Sequence, residues 1–184
     1  MLNIFIFLCF VGGAFAQSSG NGFCIEIPSE NFDNEKLMGR WRDVLISKTI
    51  SDKEMKCQEV NFTLTAPEEY KIIYSARSTE DNEYYSIWGK GKINGNFFNT
   101  TNHLPIFGLN STSVYVIKSV NELYLVLYGC ECEGSKCTSY GWLKFRQLND
   151  TLGFNYYNEI FQNALREKNI PYLEMEAVDT TNCP

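Results

Sequence analysis

The side chains best placed to do chemistry in this chain are its thiols. There are seven cysteines and a single histidine, His103. Cys9 lies in an apolar N-terminal run, and the other six are Cys24, Cys57, Cys130, Cys132, Cys137 and Cys183. Cys130, Cys132, Cys137 and His103 could together offer four zinc ligands, but Cys-x-Cys-x4-Cys is not zinc-finger spacing. One imidazole also excludes any metal centre that needs two. No Gly-x-Ser-x-Gly elbow, phosphate-binding loop or dinucleotide fingerprint occurs, so the residues for acyl transfer or nucleotide chemistry are missing. Six thiols in an oxidising compartment read instead as three disulfides, with the connectivity open. The expectation is no enzymatic activity, no metal and no cofactor.

The N-terminus points to that compartment. Ile4 to Ala16 is an uninterrupted run of apolar or small residues, too short to span a bilayer. It ends Ala14-Phe15-Ala16 before Gln17-Ser18-Ser19-Gly20, the small-x-small pattern of a signal-peptide cleavage site, although no basic residue precedes it. This predicts a signal peptide over 1–16, loss of Cys9 with it, and a single secreted domain over 17–184. No later stretch is long and apolar enough for a transmembrane segment. Asn-x-Ser/Thr acceptors stand at Asn61, Asn99, Asn110 and Asn149, and each one that carries a glycan must face solvent.

Composition narrows the class further. The 184 residues carry a formal charge of −6, which argues against nucleic acid as a partner because phosphate repulsion is not offset. Forty-four per cent hydrophobic residues suffice for a core, and 15% aromatics favour strands.

The elements that must position these residues are mostly short β segments. They are Trp41–Lys48, Gln58–Thr65, Tyr70–Ser78, Tyr84–Ile93, Asn96–Asn102, Ser113–Val120, Leu123–Glu131 and Thr138–Gln147. Turn signals separate them: Ala66-Pro67-Glu68-Glu69, Thr79-Glu80-Asp81-Asn82, Asn94-Gly95, and Leu104-Pro105 through Asn110-Ser111. Asn94-Gly95 is a strong hairpin signal, since both central positions of a type I′ turn need positive φ. Eight successive strands with tight connections predict an all-β, up-and-down antiparallel barrel, wide enough inside for one small ligand. The period then changes: Tyr157, Ile160, Phe161, Ala164 and Leu165 form a helical stripe between Asn155 and Lys168. Asn155 is the expected N-cap, with Glu159 in the first turn and Arg166 and Lys168 in the last. This one C-terminal helix must bury its stripe on the outside of the barrel.

Four landmarks in order carry a family resemblance. They are Asn31-Phe32-Asp33-x-x-Lys36-x-x-Gly39-Arg40-Trp41, then Leu125 to Cys132, then Trp142-Leu143-Lys144-Phe145-Arg146, and finally Lys168-Asn169-Ile170 with Val178 to Pro184. With the cysteine positions, this pattern resembles the lipocalins, in particular the subgroup of apolipoprotein D, the insect bilin-binding proteins and the Lazarillo-type lipocalins. It runs from about Cys24 to Pro184. One landmark departs: the family's Thr-Asp-Tyr turn is here Ser119-Val120-Asn121, so a receptor contact through that loop does not carry over.

The resemblance implies the bridges Cys24–Cys130 and Cys57–Cys183, leaving Cys132 and Cys137 for a local bridge across the turn Glu133-Gly134-Ser135-Lys136. It places Gly39 at the closed end and stacks Arg146 on Trp41 there, as structural residues. Trp142, Phe62 and Tyr74 match positions that contact ligand. If Arg146 points inward, period-2 parity turns Lys144 and Trp142 inward and Leu143 and Phe145 out beneath the helix. The same parity on the first strand turns Trp41, Asp43 and Leu45 inward. Lys144 stands where relatives carry leucine, and a lysine inside a barrel needs a partner. Asp43 and a ligand carboxylate are both candidates. His103 is read as a rim histidine, with axial haem ligation, as in some insect salivary lipocalins, as the alternative.

The function implied is a secreted carrier of a small hydrophobic ligand: a lipid, sterol, isoprenoid or bilin pigment. The alternative is a secreted lipocalin that binds or inhibits another protein, or a cell-surface receptor, through its open-end loops.

Overall fold

The computed structural model describes residues 23–104, 108–120, 123–148 and 152–184. The apolar run expected to be a signal peptide, the loop after Leu104, Asn121 and Asn149 lie outside the described residues. Eight antiparallel strands form the barrel: β1 (Gly39–Ser47), β2 (Met55–Ala66), β3 (Glu69–Ser78), β4 (Tyr84–Asn94), β5 (Phe97–Leu104), β6 (Gly108–Val120), β7 (Tyr124–Glu133) and β8 (Lys136–Phe145). Each pairs with the next in sequence, and β1 closes the ring by pairing with both β8 and β2. Helix α1 (Phe154–Glu167) follows, and the tail adds β9 (Met175–Ala177) beside the end of β1. No helix among the described residues is long and apolar enough to cross a membrane.

The strand period divides the buried residues into two cores. Inside the barrel, Trp41, Val60, Phe62, Tyr70, Ile72, Ile93, Phe98 and Leu125 pack together. Outside it, Phe161, Ala164 and Leu165 of α1 cover Val126, Leu143 and Phe145. Leu143 and Phe145 thus face the helix, as the parity of β8 predicts. Phe161 lies against Gly141, where an added Cβ would come 2.7 Å from its ring.

Two sequence expectations fail here, for local reasons. Leu45 was expected inside the barrel, yet it belongs to the outer core with Val44. The register with β8 shifts between Asp43 and Leu45, so Val44 is an extra residue and the parity reverses after it. The helix also begins earlier than expected. Gly153, not Asn155, is the N-cap, because the Gly153 carbonyl already accepts from the Tyr156 and Tyr157 amides at 3.1 and 3.3 Å. Asn155 is therefore inside the first turn, and Glu159 falls beyond it.

The bridges are Cys24–Cys130, Cys57–Cys183 and Cys132–Cys137. The first two close loops with sequence separations of 106 and 126, long enough for each to stabilise by roughly 4–5 kcal/mol in the chain-entropy account. They tie the N-terminal segment to β7 and the tail to β2.

At the closed end, a short 3-10 turn (Asn34–Leu37) leads into β1. Trp41 is fully buried and its indole N–H donates to the Leu37 carbonyl at 2.6 Å. The Arg146 guanidinium sits 3.9 Å from the Trp41 ring centroid and donates to the Lys36 carbonyl at 2.8 Å. Gly39 adopts φ +92°, and a Cβ there would come 2.8 Å from Arg146 Nη1. Arg146→Ala should lower stability by about 1–2 kcal/mol, the size of a partly desolvated cation–π contact. Urea denaturation reads this directly, and an unchanged midpoint would show that the clasp contributes nothing.

Candidate functional site

The barrel interior is not uniformly filled. Near the closed end, aromatic rings make a floor. Phe62, Tyr70 and Phe98 meet with centroids 5.7 to 6.4 Å apart, and all three are buried. The Tyr70 hydroxyl bonds to the Thr100 hydroxyl, and burial raises the phenol pKa to about 12. Phe62 is thus part of the floor, wedged between two rings.

Above the floor the inner wall is more open. Tyr74 stands in register between Val60 and Ile87, Val114 opposite Phe98, and Trp142 opposite Leu127. Tyr74, Ile87, Val114 and Trp142 lie on the inward row but are only half-buried, less tightly enclosed than the rings of the floor. Burial, helped by the nearby Asp43 carboxylate and neighbouring phenols, pushes the Tyr74 hydroxyl well above its ordinary range, keeping it a neutral donor.

Lys144 lies directly opposite Asp43 across the β1–β8 ladder. Its Nζ is 2.5 Å from Asp43 Oδ1, with the two residues 1% and 4% exposed. Burial pushes the Asp43 carboxyl above its ordinary range, and the Lys144 ammonium draws it part of the way back. Of the two partners open to Lys144 from the sequence, the fold supplies Asp43. Lys144 Nζ also lies 5.8 Å from the Trp142 ring.

The sequence reading missed the pair that stands above Trp142. Tyr140 is on the same row of β8, and its ring meets that of Trp142 edge-on at 5.5 Å. Its hydroxyl donates to Glu131 Oε1 at 2.7 Å. A Cβ at Gly129 would fall 2.1 Å from the Tyr140 ring, so only glycine lets the ring lie flat against β7. Parity from Trp142 was a sufficient signal for Tyr140; Glu131 needed the cross-strand register as well.

The remaining expected residues sit elsewhere. Asn61 and Asn99 are exposed on β2 and β5. Asn110 pairs with Asn102 across β5 and β6, its side chain lying outside the described residues. His103 stacks on Trp88 with centroids 3.7 Å apart, both on the outward row of their strands, so the imidazole does not face the ligand space. The sulfurs of Cys24, Cys132 and Cys137 cluster, with Cys24 Sγ 3.4 Å from Cys132 Sγ. Each is in a bridge, so none offers a thiolate to a metal.

The comparisons with known proteins follow the same outline. No protein-family model matches the chain. Apolipoprotein D of Macaca fascicularis is 24% identical over 202 aligned residues, covering 100% of this chain and 98% of that protein. Insecticyanin of the tobacco hornworm Manduca sexta has a similar structure, with a TM-score of 0.70 at 15% identity over 88% of each chain. Lobster apocrustacyanin A1 reaches a TM-score of 0.65 at 15% identity over 83% of this chain and 82% of that one.

Asp43→Asn should destabilise the protein by about 3–5 kcal/mol, because it leaves the Lys144 ammonium buried without its counter-charge. The double variant Asp43→Leu with Lys144→Met should recover most of that loss. Chemical denaturation of the three proteins checks this. A loss below about 1 kcal/mol in the single variant would mean that Lys144 reaches water.

Proposed function

We propose that this chain, a lipocalin, is a secreted carrier that holds a small hydrophobic ligand in the upper half of its barrel. One observation carries the reading: half-buried inward side chains stand above a floor of buried rings. A ligand entering there removes apolar surface from water on both sides, and each buried CH2 contributes about 0.8 kcal/mol. Tyr74 and Trp142 are the contact residues in this proposal. Phe62 sets the depth, and Lys144, held by Asp43, is not free to recruit a carboxylate. Tyr74 and Trp142 are half-buried rather than closed in, which favours a carrier over a protein that acts through its loops with a filled barrel. Three disulfides and the N-terminal apolar run support secretion. The family of apolipoprotein D supports a binding protein rather than an enzyme.

The test uses a bromine-labelled fatty alcohol, which quenches tryptophan only near contact. Trp41 is buried in the clasp and Trp88 is stacked on His103 outside, so Trp142 should carry most of the quenching. Trp142→Phe should abolish most of it, and quenching as full as in the unaltered protein would exclude Trp142 from the pocket.

Glycosylation is part of the same proposal. Expression through a secretory pathway should yield a protein that loses mass on treatment with an N-glycosidase. Asn61→Gln and Asn99→Gln should each remove one glycan, and a mass matching the bare chain would refute this.

A further inference from the structure

Resting on the carrier reading, we infer that the pocket prefers a compact ligand with a basic nitrogen, whose ammonium meets Glu131 while its apolar body lies on Trp142 and Tyr74. Four observations lead there: depth, charge, geometry and rim.

Depth comes first. The floor of Phe62, Tyr70 and Phe98 blocks the lower half, so a long acyl chain cannot lie fully inside. From Leu127, level with Trp142, to Glu131 is four residues of β7, about 13 Å along a tilted strand and less in height. That space suits one ring and a short arm.

Charge is next. On the inward rows above the floor, Asp43 and Lys144 pair with each other and present no net charge to a ligand. Glu133 and Lys136 stand opposite each other at the turn between β7 and β8. Glu131, exposed at the upper end of β7, faces the neutral Thr138, and among the described residues its carboxylate accepts from the Tyr140 hydroxyl alone. A phenol donates one hydrogen bond and leaves the carboxylate's charge in place.

The geometry then fits a cation. Tyr140 links the carboxylate to the indole: its hydroxyl bonds to Glu131 and its ring meets that of Trp142 at 5.5 Å. The carboxylate is therefore one tyrosine away from the aromatic wall. Aromatic faces next to a carboxylate attract a cation through both the ring quadrupole and the charge. Burial, and then Glu131 itself, hold the Tyr140 phenol well above its ordinary pKa, so it stays a donor.

The rim acts in the same direction. The loops between β1 and β2 and between β3 and β4 lie at the end opposite Trp41 and carry Asp52, Glu54, Glu80, Asp81 and Glu83. Their lysines, Lys48 and Lys53, are drawn to Glu174 and Glu176 of the tail. A mouth with this excess of acid raises the local concentration of cations.

Calorimetric titration with 2-phenylethylamine, 2-phenylethanol and 3-phenylpropanoate tests this on the folded, disulfide-bonded protein. The amine should bind at least ten-fold more tightly than the alcohol, and the carboxylate most weakly. Glu131→Gln should bring the amine down to the level of the alcohol, with the melting temperature preserved. Glu133→Gln, one step higher on the strand, should leave the preference intact. An equal preference in Glu131→Gln, or tighter binding of the carboxylate, overturns the inference. Binding of the long bromine-labelled alcohol with none of the three compact compounds overturns it too, and leaves the carrier reading standing. Binding of nothing overturns both.

Discussion

One extra residue in β1 sets the terms for the rest of the molecule. A strand of strict period 2 can serve one core on each face, but it cannot change which residues serve which. Val44 breaks the period. Before it, Trp41 and Asp43 point into the barrel; after it, Leu45 joins Val44 beneath the helix. The same break lets the end of β1 leave β2 and take up β9 from the tail. The closed end, the seat of the helix and the anchoring of the tail therefore all hang on one bulge. Just before the bulge, Asp43 lies opposite Lys144, which makes a lysine tolerable inside an apolar barrel.

Two sets of polar groups inside pair with each other, while Asn102 Oδ1 on the inward row of β5 is buried without a partner among the described residues. The ammonium of Lys144 and the carboxylate of Asp43 neutralise each other, and the Tyr70 and Thr100 hydroxyls pair at the floor. Buried polar groups left unpaired would cost roughly 1–3 kcal/mol each, so pairing them keeps the lower barrel silent toward a ligand. In the proposed site, the aromatic wall and the carboxylate at its upper edge are what a ligand would meet. A ligand in such a site gains most of its affinity from apolar contact and most of its orientation from a single charged group.

The periphery is held by covalent ties as well as by packing. Ile27 of the N-terminal segment and Ile170 and Met175 of the tail join the outer core, and each segment is also joined to the barrel by a long-range bridge. The third bridge, Cys132–Cys137, directly spans a cross-strand pair and rigidifies the turn above Glu131. For the proposed ligand site near the mouth, these bridges would supply a rim that does not wander.

Much of this was legible in the residues themselves. Alternation of apolar and polar residues, broken by Asn94-Gly95 and similar turns, was enough for eight antiparallel strands. The 3.6-residue stripe from Tyr157 to Leu165 was enough for one helix outside. Parity within β8, anchored on Arg146 by the family resemblance, puts Trp142 and Lys144 inside and Leu143 and Phe145 outside. Other features depended on contacts between distant segments. A bulge leaves no mark on composition, so parity alone turns Leu45 to the wrong face, and only the β1–β8 register puts it beneath the helix. Whether Lys144 answers to Asp43 or to a ligand turned on which residue lies across the ladder. Phe62 became floor rather than wall because Tyr70 and Phe98, on other strands, close over it. The reason is common to all three cases: periodicity fixes which way a side chain points along its own strand, while register and packing between strands fix what it meets there.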